Sequence, residues 1–146
     1  MKKLITATMI IISLSVQAQP YLSTGLNSKS FTTGIGLLAD KMDISISYKL
    51  PFLNKEQAKI FSFSIGRQIL LTHNDEDNYS ITPAIGYAEC RYSRFDNNLK
   101  ETKMRTTNAL YSVEIGKDAY MGRFYLKGLY CKKAFVEVGM RVFVGR

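Results

Sequence analysis

From Tyr21 onward the chain alternates apolar and polar residues with a period of two, in segments separated by polar turns. That period marks a strand with one apolar and one polar face. The last segment carries it furthest: Ala134, Val136, Val138, Met140, Val142 and Val144 share one parity, and Glu137, Gly139 and Arg141 take the other, with Phe135 and Phe143 at its ends. Met42, Ile44, Ile46, Tyr48 and Leu50 alternate as regularly with Asp43, Ser45, Ser47 and Lys49. In a soluble sandwich either face could be the core, so alternation alone leaves the location open.

Eight strands are predicted, over residues 21–27, 31–39, 42–50, 61–66, 79–88, 109–116, 123–132 and 134–146. The seventh alternates least well, mixing Phe124, Leu126 and Tyr130 with Tyr125, Lys127 and Leu129. Pro83 falls inside the fifth, where it removes a ladder hydrogen bond, and a bulge is expected there. Residues 53–59 form a loop in which Asn54 and Gln57 have capping-box spacing, which permits one helical turn. Residues 95–106 read as the longest polar connection.

The N-terminus adds a location. Met1-Lys2-Lys3 is a positive start, residues 4–16 are apolar, and Val16-Gln17-Ala18 has the small-residue form of a cleavage site. A signal peptide over residues 1–18 and a single domain over residues 19–146 are therefore expected, the alternative being a buried N-terminal helix. The apolar run is shorter than the roughly 20 residues a transmembrane helix needs. No later segment is apolar enough either, so a membrane form of this chain must be a closed barrel. With an even strand count and hairpin connections throughout, the expected fold is all-β: an eight-stranded antiparallel up-and-down transmembrane β-barrel with its apolar face toward lipid. Gly34, Gly36, Gly66, Gly86, Gly116 and Gly139 all fall on the polar parity, as a narrow interior shared with large polar side chains requires. Alternatively they mark bends.

Charge sharpens the picture at both faces. Glu114, Glu137 and Arg141 fall on the polar parity, and with Arg67 and Glu89 they are expected to form an ion-pair network in the lumen, since an isolated buried ion is costly. Such a filled lumen argues against an open pore. The formal net charge is +8. With the N-terminus on the periplasmic side, the outward connections carry Lys29, Lys55, Lys59, Arg91, Arg94, Lys100, Lys103, Arg105, Lys132 and Lys133 against Glu56, Asp96 and Glu101. The inner turns are acidic, with Asp40, Asp43, Asp75, Glu76 and Asp77. A basic outer rim, chiefly Arg91, Arg94, Lys100, Lys103, Arg105, Lys132 and Lys133, suits the phosphates of lipopolysaccharide or another anionic surface. Charged loops could equally serve solubility. Phe31, Tyr48, Phe61 and Tyr111 toward the outer end and Tyr79 toward the inner end fit an interfacial aromatic girdle, or the core of a soluble barrel.

No catalytic, cofactor or metal site is expected. Paired carboxylates could do acid–base work, but no nucleophile or cleft accompanies them. Cys90 and Cys131 lie two strands apart, about 9.6 Å, beyond the roughly 7 Å reach of a disulfide, so two thiols or a bridge remain as alternatives.

The pattern as a whole resembles the small eight-stranded outer-membrane barrels of Gram-negative bacteria, of the OmpA transmembrane-domain and OmpX type. Val138, Met140, Val142 and Val144 match the alternate apolar positions that the assembly machinery reads in the last strand of that class, although the chain ends on Arg146 and not on an aromatic. The resemblance implies residence in the outer membrane, contact with its lipid and with the assembly machinery, and no nucleic-acid partner. Deacylases of similar size resemble a barrel with a His-x-Ser pair late in the chain; here the only histidine, His73, is followed by Asn74. The expected role is structural, adhesive or surface-interacting, in a monomer without enzymatic activity. The alternative is an exported soluble barrel of lipocalin kind, with Ile44, Ile46, Val113, Val138 and Val142 lining a cavity for a small apolar ligand.

Overall fold

A computed structural model describes residues 18–52, 59–72, 78–95, 101–120 and 122–144. The predicted signal peptide, the possible helical turn after Leu53 and His73 lie outside the described residues. Among the described residues there are nine strand elements: β1 (Gln19–Asn27), β2 (Ser30–Ala39), β3 (Met42–Pro51), β4 (Lys59–Arg67), β5 (Ile69–Leu70), β6 (Tyr79–Phe95), β7 (Glu101–Ala119), β8 (Gly122–Cys131) and β9 (Lys133–Phe143). Each pairs antiparallel with its neighbours, β1 pairs with β9, and both β4 and β5 pair with β6. β4 and β5 thus form one interrupted stave, and the sheet closes as an eight-stranded barrel with no free side edge through its body.

The interruption accommodates Pro83 differently from the expected bulge. β6 keeps an unbroken register with β7, with Pro83 opposite Val113. On its other side the ladder ends at Gly66 opposite Ala84 and resumes at Ile69 opposite Ile81. Arg67 and Gln68 fill the gap, and the Gln68 N–H turns away to donate to the Lys41 carbonyl at 2.6 Å. The lost proline donor therefore falls where its neighbour has left the ladder.

Side-chain exposure follows parity. Along β9 the even residues from Ala134 to Val142 are exposed, whereas Glu137, Arg141 and Phe143 are buried. Ile35, Ile85, Val113 and Leu126 are exposed on their strands, and Ser64, Ser80, Thr82, Ser112 and Glu114 are buried. The barrel is apolar outside and polar inside. A lipocalin-like arrangement needs the inverse, and it is overturned here: Val138 is 60% exposed and Ile46, Val113 and Val142 are exposed beside it, while Ile44 is half-buried on the same outer face. β8 fits the rule too, with Phe124, Leu126 and Tyr130 outward and Arg123, Tyr125 and Cys131 inward.

Of residues 95–106, Phe95 and residues 101–106 are strand and not loop. β6 has 17 residues and β7 has 19, against 9 to 11 for the other full-length staves flanking the barrel seam, β1 and β9. Their pairing runs without a break to Phe95 opposite Glu101. β4 accompanies β6 only as far as Arg91, and β8 accompanies β7 only from Tyr111. The last rungs of this hairpin therefore extend beyond both neighbouring staves. At the opposite end, β2 and β3 are joined through Asp40 and Lys41, both with positive φ (41° and 67°), the geometry of a tight two-residue hairpin.

Candidate functional site

Two features stand out from the regular staves: a charged lumen and a basic outer end. In the lumen, Arg141 on β9 binds two carboxylates. Its Nη1 lies 2.7 Å from Asp43 Oδ2 and its Nη2 2.5 Å from Glu114 Oε2. The Tyr21 hydroxyl donates to the other Asp43 oxygen, and the Arg141 guanidinium lies 4.5 Å from the Tyr21 ring centre. These groups come from β1, β3, β7 and β9, so the cluster ties strands remote in sequence across the interior.

A second cluster sits toward the outer end. Glu137 Oε2 accepts from Thr32 Oγ1 at 2.6 Å and pairs with Lys49 Nζ at 3.2 Å, and Glu137 Oε1 accepts from the Tyr125 hydroxyl at 3.0 Å. Lys49 Nζ also lies 5.0 Å from the Phe135 ring centre. Toward the inner end Arg123 Nε binds Asp118 Oδ1 at 2.6 Å. The remaining wall, from β3 and β4, is hydroxylic: Ser45 pairs with Ser64 at 2.8 Å and Ser47 with Ser62 at 2.7 Å. In formal charge, Asp43, Glu114, Asp118 and Glu137 are matched by Lys49, Arg123, Lys127 and Arg141, which is what a low-dielectric interior demands.

Glycine makes room for this filling. A Cβ on Gly36 would overlap the Tyr21 ring, and one on Gly25 would overlap the Glu137 carboxylate and the Tyr125 hydroxyl. The space left between these side chains is about 40 Å³, room for roughly two or three waters. The barrel is filled and has no open channel among the described residues.

Of the five residues assigned to this network from sequence, Glu114, Glu137 and Arg141 face the lumen, whereas Glu89 has the outward parity of Ile85 and Tyr87 on β6 and pairs with Arg91 and Arg105. Arg67 does not face the lumen either: it is exposed on the opposite parity of β4 and joins none of the ion pairs among the described residues. Asp43 and Lys49 complete the network instead. Both share the parity of Ser45 and Ser47, and that signal could have found them; Asp43 is a lumen group and not a charge of the inner turn. Thr32 shares the polar parity of Gly34 and Gly36 and could have been found the same way, whereas Tyr21 and Tyr125, in weakly alternating strands, carried no comparable sequence signal.

At the outer end, Arg91 and Arg105 are cross-strand partners on the hairpin. Both pair with Glu89, which their side chains cover to 6% exposure while their own heads stay in the open. Lys103, Lys132 and Lys133 are exposed, Arg94 lies on β6, and Lys100 lies outside the described residues. Cys90 and Cys131 are free thiols that pack in one apolar cluster with Ala88 and Leu110 at the outer end of the lumen. Tyr48, Tyr79 and Tyr111 are exposed on the outer face, and Phe31 and Phe61 are half-buried there.

The sequence matches no protein-family profile. It also matches no curated protein. Among solved structures, the chain is similar to Neisserial surface protein A, NspA, at 11% identity and a TM-score of 0.51, over 87% of this chain and 94% of that one. It also aligns with Ail, the attachment invasion locus protein of Yersinia pestis, at 9% identity and a TM-score of 0.42, over 86% of this chain and 94% of that one. The similarity to NspA extends over nearly the whole of both chains and shows a shared fold.

Proposed function

We propose that this chain is an integral outer-membrane β-barrel whose role is surface interaction, structural or adhesive, exerted through the β6–β7 hairpin and the basic outer rim. The observation that carries this is the orientation of the faces: the apolar parity is exposed around the barrel and the charges are sequestered and paired inside. Such an exterior is stable where the surrounding solvent is hydrocarbon, and closure gives each stave a paired neighbour on both sides through the body of the barrel. The β6–β7 hairpin, which extends past its neighbours at one end only, fits the asymmetry of outer-membrane barrels, with the hairpin outside. The resemblance in fold to a protein named for its place at the neisserial surface supports the same location.

On this orientation Arg91 and Arg105 stand at the level where lipid phosphates lie, with Glu89 holding them side by side. They present guanidinium donors to lipopolysaccharide phosphates, a geometry suited to bidentate pairing. The barrel acts as a monomer, needs the assembly machinery for insertion, and does no chemistry of its own.

The test is fractionation of the native protein. Retention in carbonate-washed outer membranes, with a shift in gel mobility between unboiled and boiled samples, is expected. Release into the soluble fraction would overturn the membrane assignment.

A further inference from the structure

Above the Lys49–Glu137 pair the lumen opens into a cavity of about 560 Å³ at the outer mouth. Lys29 from the β1–β2 turn, Lys49 from β3, Lys132 between β8 and β9, and Lys133 at the start of β9 all line it, and no carboxylate of a described residue does. Lysines on outer turns are ordinarily spread into solvent, where they repel one another little. Here Lys29, Lys132 and Lys133, though exposed, border one concave space whose wall is partly apolar, from Pro51, Ile60 and Phe135. Charge of one sign in a cleft with low-dielectric walls concentrates the field, and raises the local concentration of counter-ions.

Two further observations point to an occupant. Lys132 is the single residue between the paired Cys131 and Lys133, and it holds a left-handed backbone with φ 61°. Glycine or asparagine would take that conformation at less cost, so a lysine there keeps a side chain at the mouth against its backbone preference. Asn108 also lines the cavity, and its Nδ2 is a buried donor without a hydrogen-bond partner. A side-chain rotation toward an incoming oxygen would satisfy it. Lys49, by contrast, is fixed by Glu137 and Phe135, so it gives the floor a stationary donor whose charge is matched by its partner, and the unmatched charge of the mouth comes from Lys29, Lys132 and Lys133.

We infer that this vestibule is a binding site for a phosphate or sulfate ester on a small polar scaffold of about one or two sugar rings, with the ester oxygens among the lysines and the ring against Phe135. The volume lies within the range of small-molecule sites. Access from outside the cell rests on the orientation proposed above, but binding in detergent does not, so the two can fail separately.

The experiment uses the full chain refolded in a neutral detergent and titrated with glucose 6-phosphate, glucose and inorganic phosphate by calorimetry. Glucose 6-phosphate should bind with a Kd of about 1 mM or tighter and glucose should not bind. The Lys29→Ala/Lys133→Ala variant, checked for an unchanged heat-modifiable mobility, should weaken binding about tenfold or more, the loss expected of charge-assisted contacts. Arg67→Ala, at a residue exposed on the outer face near the opposite end of the barrel and outside the cavity, should leave it unchanged. As a second reading, bound glucose 6-phosphate should slow modification of Cys90 and Cys131, which share the cavity wall, by a small thiol reagent. Absence of saturable binding, or binding indifferent to the lysine pair, overturns the proposal. In nanodiscs, lysine-dependent binding that phosphatidylglycerol suppresses relative to phosphatidylcholine supports a lipid headgroup as the source of the ester. Equal binding in both supports a free ligand.

Discussion

Arg141 and Asp43 stand 98 positions apart in the chain, and Arg141 Nη1 lies 2.7 Å from Asp43 Oδ2 across the lumen. The same guanidinium binds Glu114, so one cation holds two buried carboxylates that would otherwise repel each other. Removing one partner of a buried ionic cluster leaves uncompensated charge and costs about 3–5 kcal/mol. Arg141→Met should therefore lower the unfolding free energy of the refolded barrel by that amount, read from a urea titration. Arg141→Lys should recover only part of it, because a single ammonium cannot reproduce the two-pronged geometry. Equal stability of Arg141→Met and the parent would show that the cluster contributes nothing.

Val138 tests the outer face. It lies next to Glu137, one residue on along β9, yet is 60% exposed where Glu137 is 3% exposed. If the outer face meets hydrocarbon, Val138→Arg should cost about 2–4 kcal/mol near the membrane midplane and impair insertion. The measurement is the fraction of protein that becomes heat-modifiable after refolding into vesicles. A variant that folds and stays soluble would show that water, not lipid, surrounds this face.

How far these pairs could be read from sequence depended on how local the signal was. Parity located Glu114, Glu137 and Arg141 because each sits in a strand whose apolar face is unmistakable. The same parity should have placed Asp43 and Lys49 beside Ser45 and Ser47, and should have excluded Arg67; charge alone suggested Arg67, and proximity to a turn removed Asp43. Which residues meet across the barrel was not legible, because the Arg141–Asp43 contact depends on the stagger of β1, β2 and β3 against β9, a property of closure and not of any one strand. The hairpin rungs past Arg91 escaped for another reason. Once strands leave the apolar layer both faces become polar, so residues 95–106 carry no period of two and resemble a loop.

Gly36 is silent in sequence beyond its parity, but it decides whether Tyr21 can lie across the lumen to reach Asp43. A side chain there would enter the space of the Tyr21 ring. Gly36→Val is expected to destabilise by about 1–3 kcal/mol, the usual cost of overpacking. Pairing it with Tyr21→Ser, which vacates the space, should cost less than the two single changes added together. Strict additivity in that double-mutant cycle would mean that the two positions do not share a space.

Glu89 separates the surface role from stability. Its carboxylate is covered by Arg91 and Arg105, whose side chains are themselves 67% and 68% exposed. Ion pairs with open partners contribute little to folding, about 0–1 kcal/mol, so Arg91→Ala/Arg105→Ala should barely change the urea midpoint even though two of the best-placed charges of the rim are gone. Binding to lipopolysaccharide-containing vesicles should fall and lose much of its salt dependence, because the contacts removed are those that salt screens. Glu89→Gln should act in the opposite sense: it leaves both arginines without their shared counter-charge, raises the positive potential at that point, and is expected to strengthen low-salt binding while loosening the side-by-side geometry. Equal binding of all three proteins at low salt would show that the hairpin arginines do not meet lipid phosphates. It would move the surface role to the mouth of the barrel or to residues 96–100.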